Sequence, residues 1–140
     1  MNLFLCQRNV VVLLALVVPT MLLGCSDSKR QGIEGTVTFN GEKVENGSIH
    51  FVPINGTKGP DGGATIENGH FSIPKEGGVF VGTFKVTIEA RKKTGKKTRD
   101  VEGHICDEEI DYIPAKYNEQ STLTQEIKSG SNNLTFDLTP

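Results

Sequence analysis

Residues 35–53 read GTVTFNGEKVENGSIHFVP, and the way this stretch alternates sets the fold class. Ile33, Gly35, Val37 and Phe39 fall on one side of an extended chain, while Glu34, Thr36 and Thr38 fall on the other. That is the period of a half-buried strand, not of a helix. Asn40-Gly41 ends the strand, because both residues tolerate the positive φ of a tight primed turn. Asn46-Gly47 carries the same chemistry and predicts a second turn just before a strand over Ser48 to Val52. Pro53 has no amide hydrogen to give a ladder and closes that strand.

The same grammar continues outward. Residues 54–63 (INGTKGPDGG) hold four glycines and one proline and read as a loop. Ala64 to Glu67 and His70 to Ile73 are short strands joined at Asn68-Gly69, and Glu76-Gly77-Gly78 turns the chain again. Thr83 to Ala90 is the plainest strand, with Phe84, Val86, Ile88 and Ala90 facing in and Lys85, Thr87 and Glu89 facing out. Leu123, Gln125 and Ile127, then Leu134, Phe136 and Leu138, alternate in two last strands around a turn at 130–133. About seven short strands and no helical period beyond the leader predict an all-β chain, a single antiparallel β-sandwich.

The 140 residues allow one domain after an N-terminal leader. Residues 1–24 contain one charge, Arg8, then an apolar run from Val10 to Val18, the composition of a secretory signal. Leu22-Leu23-Gly24-Cys25 resembles the bacterial lipobox, in which the cysteine receives a diacylglycerol thioether and becomes the acylated N-terminus. The resemblance implies that 1–24 is a lipoprotein signal peptide that is removed, that 25–32 is a lipidated cysteine plus a polar tether, and that the sandwich occupies 33–140. Each buried methylene contributes about 0.8 kcal/mol, so two or more acyl chains hold a protein on a bilayer. Ser26 follows the cysteine, which by resemblance to sorted lipoproteins implies the outer membrane of a bacterial envelope. With Cys6 in the leader and Cys25 lipidated, Cys106 has no partner in its own chain, so core burial alone must hold the domain. Without Arg8, 14 basic residues face 17 acidic ones, a net charge of −3 that argues against nucleic acid as a partner.

GTVTFNGEKVENGSIHFVP followed by NGHFSI and GTFKVTIEA resembles, in the order of its parts, the carboxypeptidase regulatory-like domain, a transthyretin-like (prealbumin-like) sandwich of about seven strands related in outline to Ig-like folds. IPAKYN, a Thr-Leu-Thr strand and a closing N-L-x-F-x-L strand resemble a small-lipoprotein branch of that group. The resemblance covers nearly all of 33–140 and implies a non-catalytic module with no catalytic residue and no cofactor. A transthyretin-like hydrolase is the enzymatic rival, but such enzymes end near Tyr-Arg-Gly-Ser and this chain ends Phe136-Asp137-Leu138-Thr139-Pro140.

Residues 91–111 are the candidate binding segment. Arg91, Lys92, Lys93, Lys96, Lys97 and Arg99 make 91–99 basic, and 100–111 hold six acidic residues with no apolar period, so the segment reads as a long irregular loop. Asp100, Glu102, His104 and Cys106 recur at every second residue and would share one side of an extended segment. One His and one Cys fall short of the paired ligands of structural zinc, so no metal is expected, with a metal-binding periplasmic protein as the alternative. Acidic neighbours also disfavour a reactive Cys106 thiolate. The expected partners are the membrane, through the lipid, and an envelope protein or polysaccharide. His50 and His70 should point outward, Tyr112 and Tyr117 should cover a sandwich edge, and the Asn-x-Ser/Thr sites at Asn46, Asn55 and Asn133 read as turn chemistry.

Overall fold

A computed structural model describes residues 29–140. The leader, the lipobox residues Leu22, Leu23 and Gly24, the lipidation candidate Cys25 and the first part of the tether lie outside the described residues. Nine strands follow in chain order: β1 (Ile33–Phe39), β2 (Glu42–Lys43), β3 (Asn46–Pro53), β4 (Gly62–Glu67), β5 (His70–Ile73), β6 (Gly82–Arg99), β7 (Ile105–Asp111), β8 (Thr124–Ile127) and β9 (Asn132–Leu138). Among the described residues, two short 3-10 turns, Lys75–Gly77 and Ala115–Tyr117, interrupt them.

The all-β sandwich expectation holds, and the pairing shows how the sheet folds over. β3 lies between β4 and β6, while β1 lies between β5 and β9. Only Glu67↔His70 links β4 to β5, so the sheet bends there and lays one half on the other. Phe51 of β3 thus meets Phe71 of β5 and Phe136 of β9, with ring centroids 6.2 and 6.5 Å away. Around these rings Ile33, Val37, Ile49, Ile66, Phe84, Val86 and Ile88 are buried, as the period-two reading requires. His50 and His70 are exposed, also as read.

Three details differ from the sequence reading. β1 and β9 pair in parallel along their whole length, from Ile33↔Asn132 to Phe39↔Leu138, so the sheet is not purely antiparallel. Asn40-Gly41 and Asn68-Gly69 do form left-handed turns, with φ of 52° and 81° and of 50° and 79°, but Asn46-Gly47 does not. Gly47 instead lies inside β3 between Ile66 and Ala90, where an added Cβ would stand 2.5 Å from the Glu89 carbonyl oxygen. Its glycine is there for close strand approach rather than for a turn. Finally, residues 91–111 are not an irregular loop, as described below.

The chain is held to the sandwich from Gln31 onward. The Gln31 N–H donates to the Val79 carbonyl at 2.7 Å, and Arg30 donates to the Gly78 carbonyl at 2.7 Å. Gln31 Oε1 accepts the Gly130 N–H, and the buried Asn132 amide donates to the Lys128 and Gly130 carbonyls. At the other end of β1, Phe39 packs edge-on against Tyr112, centroids 5.8 Å apart. Gln31 precedes β1 and Val79 precedes β6, whereas Phe39 ends β1 beside Tyr112, which follows β7. β1 and β6 therefore run the same way, and the two ends of the sandwich are distinct.

Candidate functional site

β6 is 18 residues long, and only its first half belongs to the sandwich. β3 leaves it at the pair Gly47↔Ala90, and from Arg91 outward its one partner is β7. Arg91↔Asp111, Lys92↔Ile110 and Lys93↔Glu109 are followed, after an irregularity, by Lys97↔Asp107, Thr98↔Cys106 and Arg99↔Ile105. At about 3.3 Å per residue, the nine residues from Arg91 to Arg99 reach roughly 30 Å beyond the core. The segment read as a loop is thus a two-stranded arm, and it leaves the sandwich at the end opposite Gln31.

Charge holds this arm in place of apolar burial. The basic and acidic runs lie on neighbouring strands, so opposite signs meet across the ladder, the favourable arrangement for cross-strand pairs. Arg91 Nε lies 2.9 Å from Asp111 Oδ1, and Lys93 Nζ lies 2.9 Å from Asp107 Oδ2. Lys97 reaches the other oxygen of Asp107. Hydrogen bonds from Lys97 and Lys93, then their charges, hold the Asp107 carboxyl down at about 2. Hydrogen bonding to Asp111 raises the Arg91 guanidinium in turn. No residue from Arg91 to Asp111 is fully buried, so each of these pairs is screened and contributes little alone.

The tip and the bulge have their own order. Asp100 Oδ1 accepts the backbone N–H groups of Glu102 and His104, at 3.0 and 2.8 Å, and the Gly103 N–H donates to the Asp100 carbonyl. The His104 N–H is the first cause of the lowered Asp100 carboxyl. Opposite Glu108, the Thr94–Lys96 stretch of β6 has more residues than its partner, with Gly95 at a φ of 81°. The Lys96 N–H donates to Thr94 Oγ1 across this bulge.

The sequence-predicted residues are therefore only partly brought together. Arg91, Lys93 and Lys97 are joined to β7 carboxylates, and Lys92 places its ammonium 5.3 Å from the Tyr112 ring centroid. Asp100, Glu102 and His104 do gather, with His104 Nδ1 3.3 Å from Asp100 Oδ2 and 3.6 Å from Glu102 Oε2. Cys106 does not join them, since the chain turns between Asp100 and His104, and its Sγ lies 3.8 Å from the Thr98 carbonyl. Among the described residues, no group of three or more His, Cys, Asp and Glu side chains is placed to hold a metal ion. Tyr112 covers the sandwich edge as read, and Tyr117 Oη accepts the Thr139 N–H at 3.0 Å.

Sequence reasoning missed β7 and the groove at the base of the arm. This open groove of about 960 Å³ lies between the β1–β2 turn and the arm, and its lining includes Phe39, Glu45, Lys92, Glu109 and Tyr112. Burial and the nearby Glu45 charge raise the Tyr112 phenol. The available signal for β7 was the match of six bases in 91–99 with six acids in 100–111, four of them on β7. The chain has no match among known protein families, curated proteins or solved structures.

Proposed function

We propose that the protein is a non-catalytic, lipid-anchored module of the bacterial envelope, a carboxypeptidase regulatory-like sandwich that holds a binding arm away from its membrane. The observation that carries this reading is the two-ended build. The described chain enters the sandwich at Gln31, beside Val79 and Gly130, and the arm leaves from the Phe39–Tyr112 end. A sandwich tethered at residue 25 would point the Arg91–Asp111 ribbon at a partner rather than at its own bilayer. The cis ion pairs also favour a protein partner over anionic headgroups, because Arg91, Lys93 and Lys97 are already engaged. Ser26 after the cysteine favours the outer membrane.

Two experiments test the two halves of the reading. Cys25→Ser is expected to move the protein from the detergent phase to the aqueous phase and to leave its signal uncut or miscut. A wild-type protein found in the aqueous phase would sink the lipoprotein reading. Replacing Lys92 to Ile110 by Asn-Gly removes no buried residue, so the strand-type circular dichroism should persist with a thermal midpoint within a few degrees. The shortened chain should lose the envelope proteins that wild type retains on a column. Equal capture by both chains would leave the arm without a binding role.

A further inference from the structure

The two long edges of the arm are not equivalent. Beyond Ala90 the outer edge of β6 is unpaired among the described residues, but it is irregular between Lys93 and Lys97 and carries Lys92, Lys96 and Lys97. Bulges and lysines are what keep an edge from accepting another strand. β7 has neither. It runs from Ile105 to Asp111 without a break of its own, it ends the strand order, and among the described residues no strand lies on its outer side. Its open edge also carries the opposite sign.

The inner edge shows what β7 selects. Its carboxylates hold a Lys- and Arg-rich strand, with Asp107 taking two lysines and Asp111 one arginine. A strand's side chains stand on the two faces of a sheet and reach neighbours on either side, so β7 offers much the same chemistry outward. Some of that charge is unspent. Among the described residues, Glu108 bonds only the Thr94 hydroxyl, and Glu109, paired in register with Lys93, has no cation within ion-pair distance. Ile105 and Ile110, 67% and 45% exposed, bracket these carboxylates with aliphatic surface. A second copy of the chain fits poorly, because two β7 edges related by a two-fold axis would set acid against acid, and the β6 edge is the guarded one.

We infer that the outer edge of β7 binds a cationic, extended segment of a partner protein by strand addition, with Lys or Arg set against Asp107–Glu109 and apolar side chains against Ile105 and Ile110. The inference rests on the arm being the binding part of the module. Main-chain hydrogen bonds would give such a complex its affinity, and the carboxylates its choice of partner. Strand addition would also stabilise the arm, since a lone two-stranded ribbon is marginal in water.

The test uses full-length protein in non-ionic detergent and a synthetic peptide of the arm's own basic strand, RKKTGKKTR. Anisotropy should show saturable binding that weakens with salt, and hydrogen exchange should show new amide protection over 105–111. Glu109→Gln, which removes the charge at an exposed position without setting a like charge against Lys93, is expected to weaken binding several-fold while leaving the fold intact. A peptide with proline in place of both threonines should fail to bind, because it lacks ladder donors. Equal binding of the proline peptide would reduce the effect to bulk charge and overturn the inference. So would protection at Phe39, Glu45 and Tyr112 instead of β7, or self-association of the protein through its arm in sedimentation. If the shortened chain loses its envelope partners but RKKTGKKTR does not bind, the edge inference falls and the proposed binding role stands.

Discussion

Gly35→Ala should cost more than about 3 kcal/mol and leave little folded protein in moderate urea, although it adds a single methyl group. Gly35 sits in the middle of β1, with Phe71 of β5 on one side and Leu134 of β9 on the other. A Cβ built there would lie 2.1 Å from the Leu134 carbonyl oxygen and 2.9 Å from Phe71 Cε1. The Phe71 contact is with a side chain, itself buried against Phe51 and Phe136. The Leu134 carbonyl cannot turn aside, because it belongs to the backbone of the parallel ladder from Ile33↔Asn132 to Phe39↔Leu138. Relief requires β9 to move off β1, and Phe136 and Leu138 would leave the core with it. Gly77→Ala is the control, since nothing lies within 4 Å of its added Cβ, and its effect should stay within about 0.5 kcal/mol. Matching urea midpoints for the two variants would mean that β1 and β9 are not paired as described.

What the sequence made legible follows from which forces leave a local mark. Burial on one face of a strand forces period two, so β1, β9 and the sandwich half of β6 were readable to within a few residues, and so was the inward set Phe84, Val86, Ile88 and Ala90. Left-handed turns also mark the chain, as Asn40-Gly41 and Asn68-Gly69 show. The same dipeptide misled at Asn46-Gly47, because glycine serves close packing as well as turning, and only the neighbouring strands decide which. The β1–β9 pairing was out of reach, since register between segments about 100 residues apart leaves no trace in either segment. Val44 and Val79, both fully buried, were passed over because neither lies in an alternating run. The arm was missed for a physical reason. β7 is paired by charge across the ladder, with no buried face, so ICDEEID shows no apolar period at all. Its function was correspondingly less legible than its fold: the charged residues were visible, but not that they stand on two facing strands with one edge open.

Phe84→Ala should lower stability by about 3–5 kcal/mol, whereas Lys85→Ala should change it by less than about 0.5 kcal/mol. Phe84 is 0% exposed and sits where β6 is flanked on both sides, opposite Pro53 of β3 and Gln125 of β8. Truncation would open a cavity where three strands meet, and the backbone there is pinned by two ladders and collapses poorly into the space. Lys85 is the next residue, is only partly buried on the other face and has no ion pair among the described residues. Urea unfolding of the two variants reads the difference directly, and equal midpoints would mean that the faces of β6 are reversed. The consequence reaches the arm, because its ribbon is the continuation of this strand and, among the described residues, is joined to the sandwich through Tyr112 and the β6 backbone. Loss of Phe84 packing should therefore raise amide exchange along Arg91–Arg99 as well as Thr83–Ala90, while Lys85→Ala leaves both unchanged. Faster exchange in Thr83–Ala90 of Phe84→Ala with Arg91–Arg99 unchanged would show that the arm and the sandwich are held independently.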